Sequence, residues 1–407
     1  VFYGLSEVME DEFYRIKRLP PYVIAEVNAM RHAARQAGRD IIDLGMGNPD
    51  LPPPQHVIDK LCEVARKEDA HGYSASSGIP GLRRAQANYY GRRFNVDLDP
   101  ETEVVMTMGS KEGLASLATA ITAPGDVVLA PNPSYPIHTF GFIIAGATIR
   151  SVPTTPDERY WESLDRAMAF TVPRPSILIV NYPSNPTAET VDLAFYERLV
   201  AWARENKVWI LSDLAYSELY FDGNPTRSIL EVPGAKDVAV EFTSMSKTFS
   251  MAGWRVGFAV GNAKLIAALK RVKSYLDYGA FTPIQAAACA ALNGPQDIVE
   301  KNRALYQKRR DVMVEAFGRA GWDIPSPKAS MFAWAPLPPA LKDMGSLEFS
   351  KQLLTEAEVA VAPGVGYGED GEGFVRIAMV ENEQRLRQAA RNIKRFLVSK
   401  GVNTPAA

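Results

Sequence analysis

The chain has 407 residues, enough for one large domain and a smaller one, each with its own hydrophobic core. Hydrophobic residues make up 46% and charged residues 23%, as in ordinary globular enzymes. The formal net charge of −2 gives no basic footprint for nucleic acid or for an anionic membrane. The basic run Lys308-Arg309-Arg310 is short, and we expect it to lie on a solvated helix face.

The chain has two cysteines, Cys62 and Cys289, both in apolar segments typical of helices. This number predicts neither a disulfide framework nor a cysteine-based metal site, and no metal site is expected. No apolar run approaches about 18 residues, and the first residues lack a basic region followed by an apolar segment. We therefore expect a cytoplasmic protein without a membrane-spanning segment.

The first glycine-rich turn follows a short predicted strand at residues 41–44 and reads Gly45-Met-Gly47-Asn-Pro-Asp50. Its two glycines could open a dinucleotide-binding loop. The third glycine of that fingerprint is absent, however, and prolines follow where its helix should start. The sequence therefore argues against a Rossmann-type site here.

A second glycine-rich segment, residues 71–81, connects two predicted helices and contains Tyr73. The strand predicted at residues 104–108 then ends in Gly109-Ser110-Lys111 before another helix. A strand, a small-residue turn and a helix can bind an anion, because the first amides of a helix have no acceptor within it. Ser110 and Lys111 are therefore candidates for binding phosphate, although the segment lacks the pattern of a Walker loop.

The next two strands end in residues that could contact a flat ligand. Tyr135 stands between prolines that restrict the backbone, so it could stack on a ring or pack in the core. The apolar strand at residues 176–181 ends in Tyr-Pro-Ser-Asn185-Pro-Thr-Ala. Asn185 could form an Asx turn between the two prolines, and its amide could bind a ligand.

A carboxylate ends the strand predicted at residues 208–213. Asp213 needs a cationic partner if it is buried, because an unpaired buried charge is costly, and capping a helix is its alternative role. Tyr216 follows three residues later.

The segment at residues 241–260 places a single lysine in an otherwise apolar passage between two predicted core strands. A buried lysine such as Lys247 can lose its proton and act as an imine-forming nucleophile. Ser244 and Ser246 offer hydroxyls to a phosphate, and Arg255 adds a cation whose fork matches phosphate oxygens. A surface lysine on a loop is the alternative.

A second isolated charge, Arg376, interrupts a predicted strand at residues 374–378. The alternation of the strand turns its guanidinium toward one face, which could be a ligand site or an exposed surface.

Alternating strands and helices from about residue 50 to residue 290 predict a three-layer α/β/α domain with a mostly parallel sheet. Asn293-Gly-Pro is a plausible junction. We therefore predict a large domain at residues 46–292 and a smaller α+β domain formed by residues 1–45 and 293–407.

The pattern Ser-x-Ser-Lys247 followed by Gly-Trp-Arg-Val-Gly resembles the cofactor lysine motif of the fold-type I, class I and II aminotransferases. Further motifs follow in that family's order over essentially the whole chain. Similarity is greatest to the bacterial glutamate–pyruvate (alanine) aminotransferases in Leu19-Pro-Pro-Tyr, Met46-Gly-Asn-Pro-Asp, Gly109-Ser-Lys-Glu-Gly-Leu and Ser184-Asn-Pro-Thr-Ala. Ala188 stands where the wider family usually has glycine.

This resemblance implies pyridoxal 5′-phosphate as the cofactor, with Lys247 as its covalent lysine and general acid/base. It implies that Tyr135 stacks on the ring, that Asp213 keeps the ring nitrogen protonated, and that Asn185 and Tyr216 reach the phenolic oxygen. The residues expected around the phosphate are Gly109, Ser110, Lys111, Ser244, Ser246, Arg255 and, from the neighbouring subunit of a homodimer, Tyr73. Arg376 is expected to clamp the substrate carboxylate, with Gly47 and Asn185 beside it.

The activity implied is a ping-pong transamination between an L-amino acid, with alanine favoured, and a 2-oxo acid such as 2-oxoglutarate or pyruvate. Aspartate or LL-diaminopimelate as the donor, and a C–S lyase on the same fold, are the alternatives. A non-catalytic regulator should carry a DNA-binding segment, and none is evident. Tyr22, Tyr278 and Phe281 could line a side-chain pocket or pack in the core.

Overall fold

The computed structural model describes residues 13–20 and 23–402, whose strands form three sheets. The strands are β1 (Ile42–Asp43), β2 (Val104–Thr107), β3 (Val127–Asn132), β4 (Thr148–Pro153), β5 (Ile177–Val180), β6 (Trp209–Asp213), β7 (Ala239–Ser244), β8 (Gly257–Gly261), β9 (Phe332–Pro336), β10 (Val359–Ala360), β11 (Ala362–Pro363) and β12 (Phe374–Ala378).

The helices lie before, between and after these strands. They are α1 (Tyr14–Lys17), α2 (Val23–Gln36), α3 (Gln55–Ala65), α4 (Pro80–Phe94), α5 (Ser110–Ile121), α6 (Ile137–Ala145), α7 (Glu158–Phe170), α8 (Leu193–Asn206), α9 (Met245–Thr248), α10 (Ala263–Leu276), α11 (Thr282–Asn293), α12 (Asp297–Arg319), α13 (Ser346–Ala357) and α14 (Glu383–Ser399).

The largest sheet has seven strands in the order β2-β8-β7-β6-β5-β3-β4. Strand β8 runs antiparallel to both of its neighbours, and the other pairings are parallel. The mostly parallel sheet predicted from the alternation of strands and helices is therefore confirmed.

Side chains on the two faces of this sheet enter two different hydrophobic cores. In β5, Leu178 and Val180 belong to one core, whereas Ile177 and Ile179 belong to the other. Such a strand is buried on both faces, which explains its continuous apolar run. Helices cover both faces, and the large sheet is the middle layer of three.

A separate core forms around the antiparallel sheet β11-β12-β9 and the helices α12, α13 and α14. Ile42 and Leu44, just before the first glycine turn, belong to this core as well. The contribution of both ends of the chain agrees with the predicted smaller domain, whose boundaries at residues 46 and 292 stay a prediction.

The basic run on α12 is the main departure from the expected burial. Lys308 is exposed, but Arg309 and Arg310 are only 3% and 5% exposed, so the expectation of a solvated face is wrong for these two. Each is paired with a carboxylate from a distant segment, Asp50 for Arg309 and Asp222 for Arg310. These partners explain how two arginines can be buried side by side.

In residues 13–20 and 23–402, no helix combines the length and the apolar character needed to cross a membrane.

Candidate active site

The predicted site residues converge at the carboxyl edge of the large sheet. Strands β3, β5, β6 and β7 run parallel, so the segments that follow them, containing Tyr135, Asn185, Asp213 and Lys247, meet at one edge. They surround a cavity of about 560 Å³. Its lining includes every residue predicted for the site except Tyr73 and Gly109, namely Gly47, Ser110, Lys111, Tyr135, Asn185, Asp213, Tyr216, Ser244, Ser246, Lys247, Arg255 and Arg376.

A larger cavity of about 720 Å³ lies beside the start of α8 and contains none of the predicted residues. We assign the chemistry to the smaller cavity, because it alone combines the lysine, the carboxylate and the arginine singled out in the sequence.

Lys247 lies on α9, a single turn of helix that follows β7 directly. Ser244 caps this turn by accepting a hydrogen bond from the amide of Ser246 at 3.1 Å. The Nζ atom of Lys247 donates to the carbonyl oxygen of Gly47 at 2.6 Å. Burial, with smaller contributions from the positive charges of Arg376 and Arg255, lowers the pKa of Lys247 to about 8. The amine is therefore able to exist without its proton near neutral pH, as a nucleophile or a base must.

Asp213 ends β6 and is 5% exposed, with partners for both carboxylate oxygens. Its Oδ2 atom lies 2.9 Å from Nε2 of His138, and its Oδ1 atom accepts from the amide of Ala215 at 3.2 Å. An ionised Asp213 accepts a hydrogen bond from the Nε2–H group of His138, so His138 holds the carboxylate toward the cavity.

His138 was not predicted from the sequence. It lies fully buried on α6, three residues after Tyr135, and its Nδ1 atom has no hydrogen-bond partner within the described residues. The sequence feature that could have pointed to His138 is a histidine in the first turn of an apolar helix, in a chain with only four histidines.

Arg376 on β12 is 7% exposed and enters the cavity from the smaller sheet. Its Nη1 donates to Oδ1 of Asn185 at 2.8 Å, and its Nη2 donates to the carbonyl of Gly45 at 2.9 Å. The guanidinium stacks over the ring of Phe332, 3.9 Å from its centroid. Both Nη atoms carry a second hydrogen, so the fork retains donors for a carboxylate.

Asn185 is fixed by Asn181, a second residue that the sequence analysis missed. The Oδ1 of Asn181 accepts from the amide of Asn185 at 2.8 Å, while its Nδ2 donates to the carbonyl of Asp213 at 2.7 Å. The loop after β5 and the end of β6 are thereby joined beneath the cavity.

The start of α5 forms the expected anion-binding arrangement. Gly109 has φ +85°, and a Cβ atom there would overlap the guanidinium of Arg255, so only glycine lets the two approach. Arg255 donates to the carbonyl of Met108 at 3.2 Å, next to the first turn of α5.

The hydroxyl of Ser110 donates to the carbonyl of Thr243 at 3.0 Å, so its proton points into the protein. The Nζ of Lys111 lies 5.8 Å from the centroid of the Tyr135 ring.

This set of residues fits pyridoxal 5′-phosphate. The free amides of α5 and Arg255 can hold its phosphate, and Tyr135 and Tyr216 offer aromatic surface beside it. Asp213 supplies the buried carboxylate for a protonated ring nitrogen, and Lys247 supplies an amine with a lowered pKa.

Tyr73 lies outside the cavity and is 88% exposed. Its ring packs on that of Tyr278 with 4.5 Å between the centroids, and Phe281 lies 5.7 Å from the ring of His71. Tyr278 and Phe281 are 63% and 43% exposed and do not line the cavity, so both roles expected for them are wrong within this chain. Tyr22, the third residue in that group, lies outside the described residues.

Comparisons with known proteins identify the family of the chain. The family model described as "Aminotransferase class I and II" matches residues 39–393. The chain is 51% identical over 393 residues to glutamate-pyruvate aminotransferase AlaC of Escherichia coli (strain K12), covering 97% of this chain and 95% of AlaC.

It is 42% identical over 386 residues to an LL-diaminopimelate aminotransferase of Moorella thermoacetica (strain ATCC 39073 / JCM 9320), covering 95% of this chain and 98% of the relative. Among solved structures, the substrate-bound BacF structure from Bacillus subtilis superposes with a TM-score of 0.89 at 34% identity, covering 95% and 98% of the two chains.

Proposed function

The chain belongs to the class I and II aminotransferases, and we propose that it transfers the amino group of L-alanine to 2-oxoglutarate, and the reverse. The enzyme is a pyridoxal 5′-phosphate-dependent transaminase that acts on an L-amino acid and a 2-oxo acid. The observation that carries the proposal is the position of Lys247, Asp213 and Arg376 around one cavity. Alanine is favoured by the 51% identity to a glutamate-pyruvate aminotransferase over nearly the whole chain.

When bound, pyridoxal 5′-phosphate supplies a carbonyl carbon that takes up the amino group and a ring that accepts electrons from the bond being broken. We propose that Arg255 and the amides at the start of α5, that of Ser110 included, hold its phosphate, together with the side chains of Lys111, Ser244 and Ser246. Asp213, oriented by His138, provides the negative charge that keeps the ring nitrogen protonated. Asn185 and Tyr216 hold the phenolic oxygen.

Arg376 binds the carboxylate of the substrate with the donors that Asn185 and Gly45 leave free. This contact fixes the amino acid at one end, so that its α-carbon faces Lys247. Because burial lowers the pKa of Lys247 to about 8, part of the lysine is neutral near neutral pH and can attack or take a proton. The Lys247 amine can then give this proton up again. A group that both accepts and donates a proton suits a reaction that runs in both directions.

A second candidate donor is LL-diaminopimelate, favoured by the 42% identity to an enzyme of that name. It carries the same amino acid group at its reacting end, so Lys247 and Arg376 would act unchanged. The difference would lie in what binds the distal end of the molecule. Aspartate is a further donor with the same requirement, because its distal carboxylate needs a second cation.

The functional unit that we propose is a homodimer in the cytoplasm. Tyr73 is 88% exposed and its aromatic surroundings, Tyr278 and Phe281, are exposed as well, which suits a face covered by a second copy. From there Tyr73 would reach the phosphate in the neighbouring site.

The experiment is a half-reaction in which L-alanine alone is added to the purified holoenzyme. Loss of the near-visible absorption band with release of one pyruvate per site would support alanine as the donor. A band unchanged by alanine and bleached by LL-diaminopimelate or aspartate would move the substrate and keep the mechanism. A cofactor-supplied protein without such a band would overturn the assignment of Lys247.

A further inference from the structure

The loop at residues 45–50, between β1 and α3, contributes two carbonyl groups to the active site. The carbonyl of Gly45 accepts from Nη2 of Arg376 at 2.9 Å, and that of Gly47 accepts from Nζ of Lys247 at 2.6 Å. Lys247 and Arg376 thus both donate hydrogen bonds to the backbone of one short loop. The position of this loop sets how the two charges lie relative to each other.

The start of the loop is held by Asp43, which is close to it in sequence, and by β12, which is distant. The amides of Gly45 and Met46 donate to Oδ1 of Asp43 at 3.1 and 3.3 Å. The carbonyl of Leu44 accepts from the amide of Ala378, the last residue of β12, at 2.7 Å.

The other end of the loop is held by a buried arginine from α12. Arg309 donates to both oxygens of Asp50, with Nη1 to Oδ1 at 2.8 Å and Nη2 to Oδ2 at 2.7 Å. Nη1 also donates to the carbonyl of Met379, which directly follows β12, at 3.3 Å. Arg309 therefore connects the end of the loop to the end of the strand that carries Arg376.

The middle of the loop cannot move without disturbing the arginine. Gly47 lies so close to Phe332 that an added Cβ would stand 2.6 Å from Cε1 of the ring. That ring supports the guanidinium of Arg376 from below. A shift of the loop toward the small sheet would push on Phe332, and a shift away would break the bond from Lys247 to Gly47.

We propose that Asp50 and Arg309 are positioning residues, which clamp this loop and so set the distance between the Lys247 amine and the carboxylate-binding Arg376. The proposal rests on the proposed function, since it assigns Arg376 to the substrate carboxylate. Neither Asp50 nor Arg309 lines the cavity, so they act through the loop and through β12 without touching the substrate.

The adjacent residue of α12 provides a matched control. Arg310 is also buried and also holds a carboxylate with two hydrogen bonds, from Nη1 and Nη2 to Asp222 at 2.6 and 2.8 Å. Its further contacts are the carbonyl of Pro327 and the carboxylate of Asp311, and it reaches neither the loop nor β12. The pairs Arg309–Asp50 and Arg310–Asp222 thus have similar chemistry and burial, and only the first reaches the site.

The test compares Asp50→Asn with Asp222→Asn in the holoenzyme. Each replacement removes a charge and turns one acceptor of the arginine into a donor. The probe is propionate, which has the carboxylate of alanine and no amino group, with its Kd measured by calorimetry and kcat and KM measured with alanine. Thermal unfolding of both variants records the purely structural effect.

We expect Asp50→Asn to raise the Kd of propionate and the KM of alanine by about tenfold, and to lower kcat as well, because loosening the loop affects both ends of the substrate. Asp222→Asn should leave the propionate Kd within about twofold of wild type while lowering thermal stability, with Arg310 keeping its bond to Asp311. Equal propionate Kd values in the two variants would overturn the proposal.

If Asp50→Asn does not fold, Arg309→Lys and Arg310→Lys are compared by the same criterion, since lysine keeps the charge and loses the fork. The proposed function is judged separately, on the wild type. A wild-type band that no amino acid bleaches would refute the function, whereas a bleached wild type with an unaffected Asp50→Asn variant would refute the clamp alone.

Discussion

The side chains of Arg376 and Asn185 are joined by a hydrogen bond of 2.8 Å across 191 positions of the chain. Asn181 fixes Asn185 and also binds the carbonyl of Asp213. The residue proposed for the substrate carboxylate and the residue proposed for the cofactor nitrogen therefore belong to one hydrogen-bonded network. A substitution of Arg376 or of Asp213 should therefore disturb the alignment of the other residue, in addition to removing its own contact.

Replacing Arg376 with lysine should raise the KM of alanine strongly. Lysine keeps the charge but cannot bind Asn185, Gly45 and a carboxylate together with a planar fork. The loss of one charged hydrogen bond, about 1.5 to 3 kcal/mol, corresponds to about a 10- to 150-fold increase in KM. Steady-state kinetics would test this against Arg319→Lys, which changes an exposed residue of α12. An unchanged KM in Arg376→Lys would show that the carboxylate binds elsewhere.

Replacing Lys247 with alanine should abolish turnover, because among the described residues the only other lysine that lines the cavity is Lys111, which is exposed. The near-visible band should be lost, while the cofactor can still bind without a covalent bond. Lys264→Ala, on the exposed side of α10, is the control. Residual activity within about tenfold of wild type would refute the role of Lys247.

The reaction of apoprotein with added cofactor should depend on pH with a midpoint near 8. Burial lowers the pKa of Lys247 to about 8, and the protonated amine is not a nucleophile, so the rate of band formation should rise through that pH and then level off. Arg376→Gln should move the midpoint upward, because it removes a positive charge that lowers this pKa. A midpoint near the ordinary lysine value in the wild type would contradict the burial of the amine.

The same pKa shift makes a prediction for the stability of the apoprotein. The pKa of Lys247 is about 8 in the folded protein and near the ordinary lysine value of 10.5 in the unfolded chain. Between these values the unfolded chain holds more protons, so the free energy of unfolding should gain from Lys247 as the pH rises from about 8 to about 10.5. Denaturant unfolding of wild type and Lys247→Met over this range would isolate the contribution. Parallel curves would count against it.

Substitutions of two glycines in the same loop, Gly45 and Gly47, should differ sharply. Gly47→Ala would drive a methyl group into the ring of Phe332, whereas the nearest atom to a Cβ at Gly45 is 3.5 Å away, an ordinary contact. We expect kcat/KM to fall by about tenfold or more in Gly47→Ala and to change little in Gly45→Ala, because Phe332 supports Arg376. The double variant Gly47→Ala/Phe332→Leu should recover part of the loss. Equal effects of the two single variants would refute this explanation.

Mixed dimers should test the role of Tyr73. If Tyr73 serves the neighbouring site, a dimer of one Lys247→Ala subunit and one Tyr73→Ala subunit has one site with both lesions and one site with neither. Mixing the two inactive or weakened proteins under conditions of subunit exchange should then restore activity. Activity that stays at the average of the two parents would place Tyr73 in its own site or outside both.

The residues that the sequence identified are those that local patterns make conspicuous. Lys247 and Arg376 interrupt apolar stretches, Asn185 stands between prolines, and Asp213 ends a buried strand. The parallel sheet followed in the same way from alternating strands and helices. The order of its strands, and the antiparallel course of β8, depend on pairings between distant segments that no local pattern encodes.

The residues that were missed or misjudged depend on such distant contacts. Arg309 is 259 positions from Asp50, and its run of basic residues is typical of an exposed helix surface. Whether that surface faces solvent is decided by how α12 packs, which composition cannot reveal. In the sequence, His138 looks like an ordinary helix residue. Its role follows from the fold, which places Asp213 of β6 2.9 Å from its ring.

The bond from Arg376 to Gly45 spans 331 positions of the chain. We expect contacts between such distant segments to form late in folding, because closing a very large loop costs entropy before the contact can stabilise the chain. An intermediate that lacks either terminal segment would have no complete carboxylate site, even with the central sheet already formed. Recovery of substrate binding during refolding should therefore coincide with the last step of the pathway, and catalysis would mark the molecules that have reached the native state.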